Sequence, residues 1–351
     1  MVKDYAKAHP ELDVLHVWLA DDFNNFCECE VCQKELPSYH YVDILNQIDE
    51  ALTIAQIPTK IMFLIYYELL YPSDQKRLLN EDRFILMYAP ITRTYTASMK
   101  DVLKSYQSQN PVLPEFKINQ TVFKPNVLDN LMFLKSWQTH FKGDSVLFDY
   151  HLMWDGFKEL SHMGLSKVIL EDTQVLKDFG LNGFISCHLQ RTFFPTSIAT
   201  HALSKGLFEH ELSFDSFKDE YFEKVYGNDS KTVQVIFESL ESKLVHQYIR
   251  SEINLKDPHL TIELNRLDNV LSSALSISVL NNYPILIDYF RFYQDWILIL
   301  KNKNNGDSIE SLKNRLDSFL KAYIDLEDKY SESIDGFYMV HIFKEFIEKV
   351  W

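Results

Sequence analysis

Two adjacent carboxylates, Asp21 and Asp22, close the apolar run Val14-Leu-His-Val-Trp-Leu-Ala20. Five residues beyond Asp22 begins Cys27-Glu-Cys29-Glu-Val-Cys32, so three of the four cysteines fall within six positions. Paired carboxylates suit glycosidic bond cleavage, in which one group protonates the leaving oxygen and the other steadies the positive charge that develops. Thiols at C-x-C-x-x-C spacing have three uses. They can ligate a structural zinc, with Cys187, His40 or His188 as a fourth donor, form a Cys29–Cys32 disulfide, or remain free thiols that pin a loop. The acid/base chemistry itself requires no cofactor.

These residues need a frame. Short runs rich in β-branched and aromatic residues predict strands at Val14–Leu19, Lys60–Tyr66, Phe84–Tyr88, Ser145–Tyr150 and Gly183–Cys187. Helical periodicity fills the intervals, with Tyr41, Ile44, Leu45, Ile48, Ala51 and Leu52 on one stripe and a second stripe over Asn126–Phe141. Alternating strands and helices predict a parallel sheet. Five strands fall short of an eight-stranded barrel. The chain also opens on a helix-like segment, Lys3–Ala8, so a part (β/α)8 barrel lacking its N-terminal strands is expected. Eight of the eleven prolines precede residue 126, and from Pro195 onward the pattern is helical. Helices are predicted at 197–205, 213–225, 231–251, 260–280, 284–301, 308–330 and 338–350. The expected division is a barrel-like domain over residues 1–194 and an α-helical domain over 195–351.

In parallel α/β folds the C-terminal strand ends carry the chemistry. Here those ends hold Trp18, Asp21 and Asp22; Tyr66, Tyr67 and Glu68; Tyr88 and Arg93; Asp149, Tyr150, His151 and Trp154; and His188. Carboxylates hydrogen-bond sugar hydroxyls and aromatic rings stack on pyranose faces. Each residue has a plainer use as well. An aspartate after a strand often caps a helix or turn, rim tyrosines are often half-buried packing, and a loop histidine is usually satisfied locally.

Composition narrows the partners. With 351 residues, 46% hydrophobic and 14% aromatic, the chain can bury one or two cores. A formal net charge of −15 disfavours phosphate backbones and anionic headgroups, so neither nucleic acid nor membrane is expected as a partner. Glycine is absent before Gly143, which excludes a Walker loop or a dinucleotide turn there. No run approaches the roughly 20 apolar residues of a membrane span, and residues 1–7 lack the apolar core of a signal peptide. A cytoplasmic protein is expected. Sheet edges left by missing strands would favour association, so a homodimer is expected.

The run Val17-Trp-Leu-Ala-Asp21-Asp22, the three cysteines, Asn46 in the next helix and Tyr66 or Tyr67 closing the next strand together resemble the DUF4838 family of bacterial carbohydrate-active proteins. That family is similar to α-glucuronidase and β-N-acetylhexosaminidase glycoside hydrolases. Asp149-Tyr150, the stretch Leu176 to Phe184 and the stretch Phe217 to Gly227 extend the resemblance, which covers roughly residues 10–230. It implies the C-terminal part of a TIM barrel followed by a helical domain. Two features depart from it: the first barrel strands are missing, and the last strand ends in Cys187-His188-Leu-Gln190 rather than an acidic or glycine-rich end. The resulting expectation is a glycosidase acting on an oligosaccharide, with Asp22 as general acid, Asp21 orienting it and Asp149 as second carboxylate. The alternative is a degenerate barrel that binds carbohydrate without cleaving it.

Overall fold

The computed structural model describes residues 1–253 and 257–350. Five parallel strands, β1 (Val14–Val17), β2 (Lys60–Ile65), β3 (Phe84–Tyr88), β4 (Asp144–Asp149) and β5 (Gly183–Ser186), pair in sequence order into a curled half-barrel. All five fall within two residues of the expected runs. By its internal contacts the chain divides into two compact units. One comprises residues 1–94, 99–149 and 175–186, and the other residues 95–98, 150–174 and 187–351.

The first unit holds the sheet. Register pairs Leu15 with Ile61, Ile61 with Phe84, Leu86 with Ser145 and Leu147 with Phe184. Because side chains alternate along a strand, Ile61, Phe63, Ile65, Phe84, Leu86, Tyr88, Leu147 and Asp149 share one face, and all are buried. Helices cover that face. Phe63 packs against Tyr41 of α2 (Pro37–Ile54), Trp137 of α4 (Val127–His140) and the adjoining Phe141. Helices α1 (Val2–Ala8) and α3 (Met99–Ser108) complete the unit. Pro37 opens α2, and the Asn126 side chain caps α4 by accepting from Asp129 N–H.

The opposite face carries His16, Met62, Leu64, Met87, Val146 and Phe148. Trp18, just past β1, lies 5.8 Å from His16 and meets Phe148 of β4 edge-on at 5.7 Å. Two strands at ~4.8 Å spacing separate β1 from β4, so rings this close require the sheet to curl toward that face. A closed barrel fills its interior with layers of side chains. In this half-barrel Val14, Ile85, Val146, Phe148 and Ile185 remain only half-buried.

The second unit is helical: α5 (Asp155–Lys158), α6 (Met163–Gln174), α7 (Ile198–Phe208), α8 (Phe214–Tyr226), α9 (Ser230–Leu240), α10 (Lys243–Ile249), α11 (Pro258–Ala274), α12 (Pro284–Asn304), α13 (Ile309–Lys329) and α14 (Gly336–Val350). One expected helix, residues 231–251, is two. Glu241 is extended, and the Ser242 hydroxyl accepts from Val245 N–H to start α10 afresh. The helix expected over 260–280 stops at Ala274 and is followed by a short turn of 3₁₀ helix at Ser278–Asn282. Trp296 and Phe292 of α12 pack with Phe319 of α13 and Phe343 of α14 in an aromatic core. At Gly206 α7 crosses α6 so closely that a Cβ would stand 2.0 Å from Thr173 Oγ1 and 3.0 Å from the Leu170 carbonyl. No described helix is long and apolar enough to cross a membrane.

Candidate functional site

The ends of β1 and β2 are fixed by one buried phenol. The Tyr41 hydroxyl donates to the Val17 carbonyl and accepts from Leu64 N–H at 3.1 Å, tying the last residue of β1 to its neighbour. Beyond that tie the chain is exposed through Trp18, Asp21, Asp22 and Phe23. Phe23 stacks on Tyr67 with centroids 4.5 Å apart, and Tyr67 leans on Tyr66 at 4.3 Å. The Tyr66 hydroxyl donates to Asp21 Oδ1 at 2.9 Å. Burial pushes the Tyr67 phenol up, and the charges of Asp21, Glu68 and Asp22 push it further against an opposing hydrogen bond from Tyr66. Three carboxylates therefore lie near enough to Tyr67 for their charge to act on it.

The three are held differently. Both Asp22 oxygens serve its own loop, Oδ1 accepting from Phe23 N–H at 2.8 Å and Oδ2 from Asn25 Nδ2 at 2.8 Å. Asp21 points to Tyr66. Glu68 is 1% exposed and accepts from Asn24 N–H at 2.5 Å. Tyr67 has φ 47°, a left-handed backbone that non-glycine residues seldom adopt.

At the ends of β3 and β4, Asp149 and Arg93 were expected on the rim. Both are buried and paired, Arg93 Nη1 to Asp149 Oδ2 at 3.3 Å. A guanidinium beside it lets a carboxylate stay charged without water. The Tyr88 hydroxyl, on the same face of the sheet, is buried with no hydrogen-bonding partner among the described residues. Burial pushes its pKa well up.

The remaining expected residues belong to the second unit. Tyr150 is buried and stacks on half-buried Trp154, with centroids 5.7 Å apart and planes 8° apart. His151 is buried and meets Asp172 Oδ2 through Nε2 at 2.8 Å, an anchor onto α6. His188 is exposed, and its Nδ1–H donates to the Leu189 carbonyl at 2.6 Å. Nearby in this unit is a buried network that sequence reasoning missed. Asp155 accepts from both His246 (2.6 Å) and Arg250 (2.5 and 2.7 Å), and Arg250 also meets Glu252 at 2.6 Å. Burial would raise the Asp155 carboxyl, but Arg250 and His246 outweigh it and hold it far below the usual range. His246 and Asp155 stand 91 residues apart in the chain, and no local pattern signals their meeting.

The cysteines occupy the loop that follows the rim. Cys27 and Cys29 are exposed, Cys32 is half-buried, and all are free thiols. One sulfur from each lies within 4.8 Å of the others. The backbone amides of Cys32 and Val31, with the neighbouring thiols, pull the Cys29 thiol down to about 7. Facing Cys29 and Cys27, the Cys32 thiol is pushed up to about 11. Two asparagines in the left-handed region, Asn24 and Asn119, bolt this loop to the segment before α4. Asn24 exchanges hydrogen bonds with Thr121 N–H (3.0 Å) and carbonyl (3.2 Å). Asn119 accepts from Phe26 N–H (2.7 Å) and donates to the Phe26 carbonyl (2.8 Å) and to Glu28 Oε1 (2.7 Å). Phe23, Asn24 and Asn119 were not singled out in the sequence. The Asn24-Asn25 pair after two aspartates was the available turn signal.

The arrangement offers an exposed aromatic platform, hydroxyl donors and carboxylate acceptors at two adjacent strand ends. No family model and no curated protein matches the chain.

Proposed function

We propose that the chain is a glycoside hydrolase-like protein whose first unit takes an oligosaccharide at the Tyr67 rim. The observation that carries this is the hydrogen bond of Tyr66 to Asp21 beside the stacked Phe23–Tyr67 pair, with Asp22 next in the chain and with Trp18 46% and Phe23 43% exposed. Exposed rings at this spot offer a pyranose its apolar face, while carboxylates and phenols take its hydroxyls. In this reading Asp21, oriented by Tyr66, and Asp22 are the acid/base pair. Asp149 is engaged by Arg93, so the nucleophilic oxygen that attacks the anomeric carbon falls to the sugar itself, as a neighbouring acetamido group supplies in substrate-assisted hydrolases. The ligand is accordingly an oligosaccharide bearing N-acetylhexosamine.

A second reading, carbohydrate binding without cleavage, is favoured by one observation: both oxygens of Asp22 already serve the turn that shapes its loop. One experiment separates the two. Aryl N-acetylhexosaminides, hexosides and uronides are offered to the parent chain and to Asp21→Asn and Asp22→Asn, and N-acetylhexosamine oligomer binding is followed in parallel by calorimetry. Hydrolysis by the parent, lost in either variant with binding kept, supports the hydrolase. Binding without turnover in the parent supports the second reading. Absence of both sinks the carbohydrate assignment.

A further inference from the structure

The cysteine loop is not used by the sugar reading, and it has the makings of a site in its own right. Three sulfurs from a six-residue stretch lie within 4.8 Å of one another. Thiolates that share one tetrahedral zinc stand about 3.8 Å apart, given Zn–S bonds of about 2.3 Å, so the loop needs to contract by roughly an ångström at most. The backbone is already turned for this. Cys29-Glu-Val-Cys32 closes with Gln33 N–H donating to the Cys29 carbonyl at 3.0 Å.

Charge points the same way. Residues 21–35 carry Asp21, Asp22, Glu28, Glu30 and Glu35 against a single lysine, Lys34. Such a loop attracts a cation and repels an anion. A disulfide would use two of the three sulfurs and leave the third crowded against it, whereas a thiophilic cation uses all three.

We propose that Cys27, Cys29 and Cys32 form a trithiolate site for a divalent zinc ion, with the fourth coordination position open to a water from solvent. The ion closes the exposed half of a loop whose other half is bolted down by Asn24 and Asn119. It thereby fixes the connection that carries Asp21 to Phe23, and it does so whether or not the rim cleaves sugar.

The test uses the reduced full-length chain under anaerobic conditions, titrated with zinc alone against a chromophoric chelator, and then with cobalt(II). One zinc per chain is expected. Cobalt should give a thiolate-to-metal charge-transfer band and the visible bands of a tetrahedral ion. Cys29→Ser and Cys32→Ser should each weaken binding by more than the roughly 10–100-fold that loss of an outer partner costs, with Cys187→Ser unchanged. All three clustered thiols are at least partly exposed, and circular dichroism checks that each variant folds. Alkylation of the parent gives a readout free of mutation: zinc should protect three cysteines, counted by mass. The proposal is overturned by substoichiometric zinc, by an octahedral cobalt spectrum without charge transfer, by binding that survives the Cys29→Ser/Cys32→Ser double variant, or by alkylation that zinc does not slow.

Discussion

Tyr67 holds a left-handed backbone that costs an ordinary residue roughly 1–2 kcal/mol. What offsets that cost is on the rim itself, a stack on Phe23 and contacts with Tyr66 and Phe123. Strain kept in place by neighbours is typical of residues that must present a group in one orientation, and here the group presented is a ring. The buried hydroxyl of Tyr88 is the opposite case, a polar atom that loses water and gains no partner among the described residues. Tyr88→Phe should therefore leave stability unchanged or raise it by about 1 kcal/mol, since nothing is left unpaired. A urea unfolding midpoint clearly below the parent's would show a partner for that hydroxyl. His162 makes a pH prediction. It is buried, its Nε2–H donates to the Gly156 carbonyl at 2.6 Å, and its Nδ1 has no partner among the described residues. Burial lowers its pKa below the ordinary 6.5. The unfolded chain then binds this proton more readily than the fold does, so stability is full above pH 6.5 and is lost as pH falls below it. Urea midpoints measured from pH 7 to 5 should fall for the parent and less steeply for His162→Asn; parallel slopes would remove His162 as the cause.

Among the elements, the loop between β1 and α2 carries most of the proposed site, and apart from a turn of 3₁₀ helix at Cys32–Lys34 its order comes from side chains. Asn119 alone supplies three hydrogen bonds to Phe26 and Glu28. Asn119→Ala should cost about 2 kcal/mol, given 0.5–1.5 kcal/mol for each ordinary bond and partial replacement by water. Amide exchange should localise the effect: the Phe26 and Asn24 amides should speed up while those of β2 and β3 stay protected, and uniform acceleration would count against a local bolt. This level of organisation was not legible in the sequence. The strands were, because β2 and β3 are short, β-branched or aromatic runs bounded by turn residues, and the expected and observed limits of β3 coincide. The start of α4 was legible for the same local reason, a capping asparagine ahead of an apolar stripe. The break between α9 and α10 was marked only by Ser242 and was lost inside a continuous apolar pattern. The burial of Asp149 was not marked at all, since Arg93 lies 56 residues away and only the fold joins them.

For the whole molecule, net charge decides which ligands approach. The chain carries −15, and two of its acidic residues, Asp21 and Asp22, stand exposed at the rim. An anionic sugar would meet repulsion both at long range and at the site, whereas a neutral N-acetylhexosamine oligomer would meet only the cost of desolvating carboxylates that it then hydrogen-bonds. A uronide ligand and an N-acetylhexosamine ligand therefore part company on charge. Screening separates them experimentally, because the Debye length shortens from about 30 Å at 0.01 M salt to about 10 Å at 0.1 M. Affinity for a neutral oligomer should stay level across that range, while affinity for a uronide-bearing oligomer of equal length should be weaker at low salt and recover as salt rises. Uronide binding that is tighter at low salt would require a cation at the rim that the acidic side chains there do not supply. It would then move the assignment toward a uronide-recognising site elsewhere on the chain.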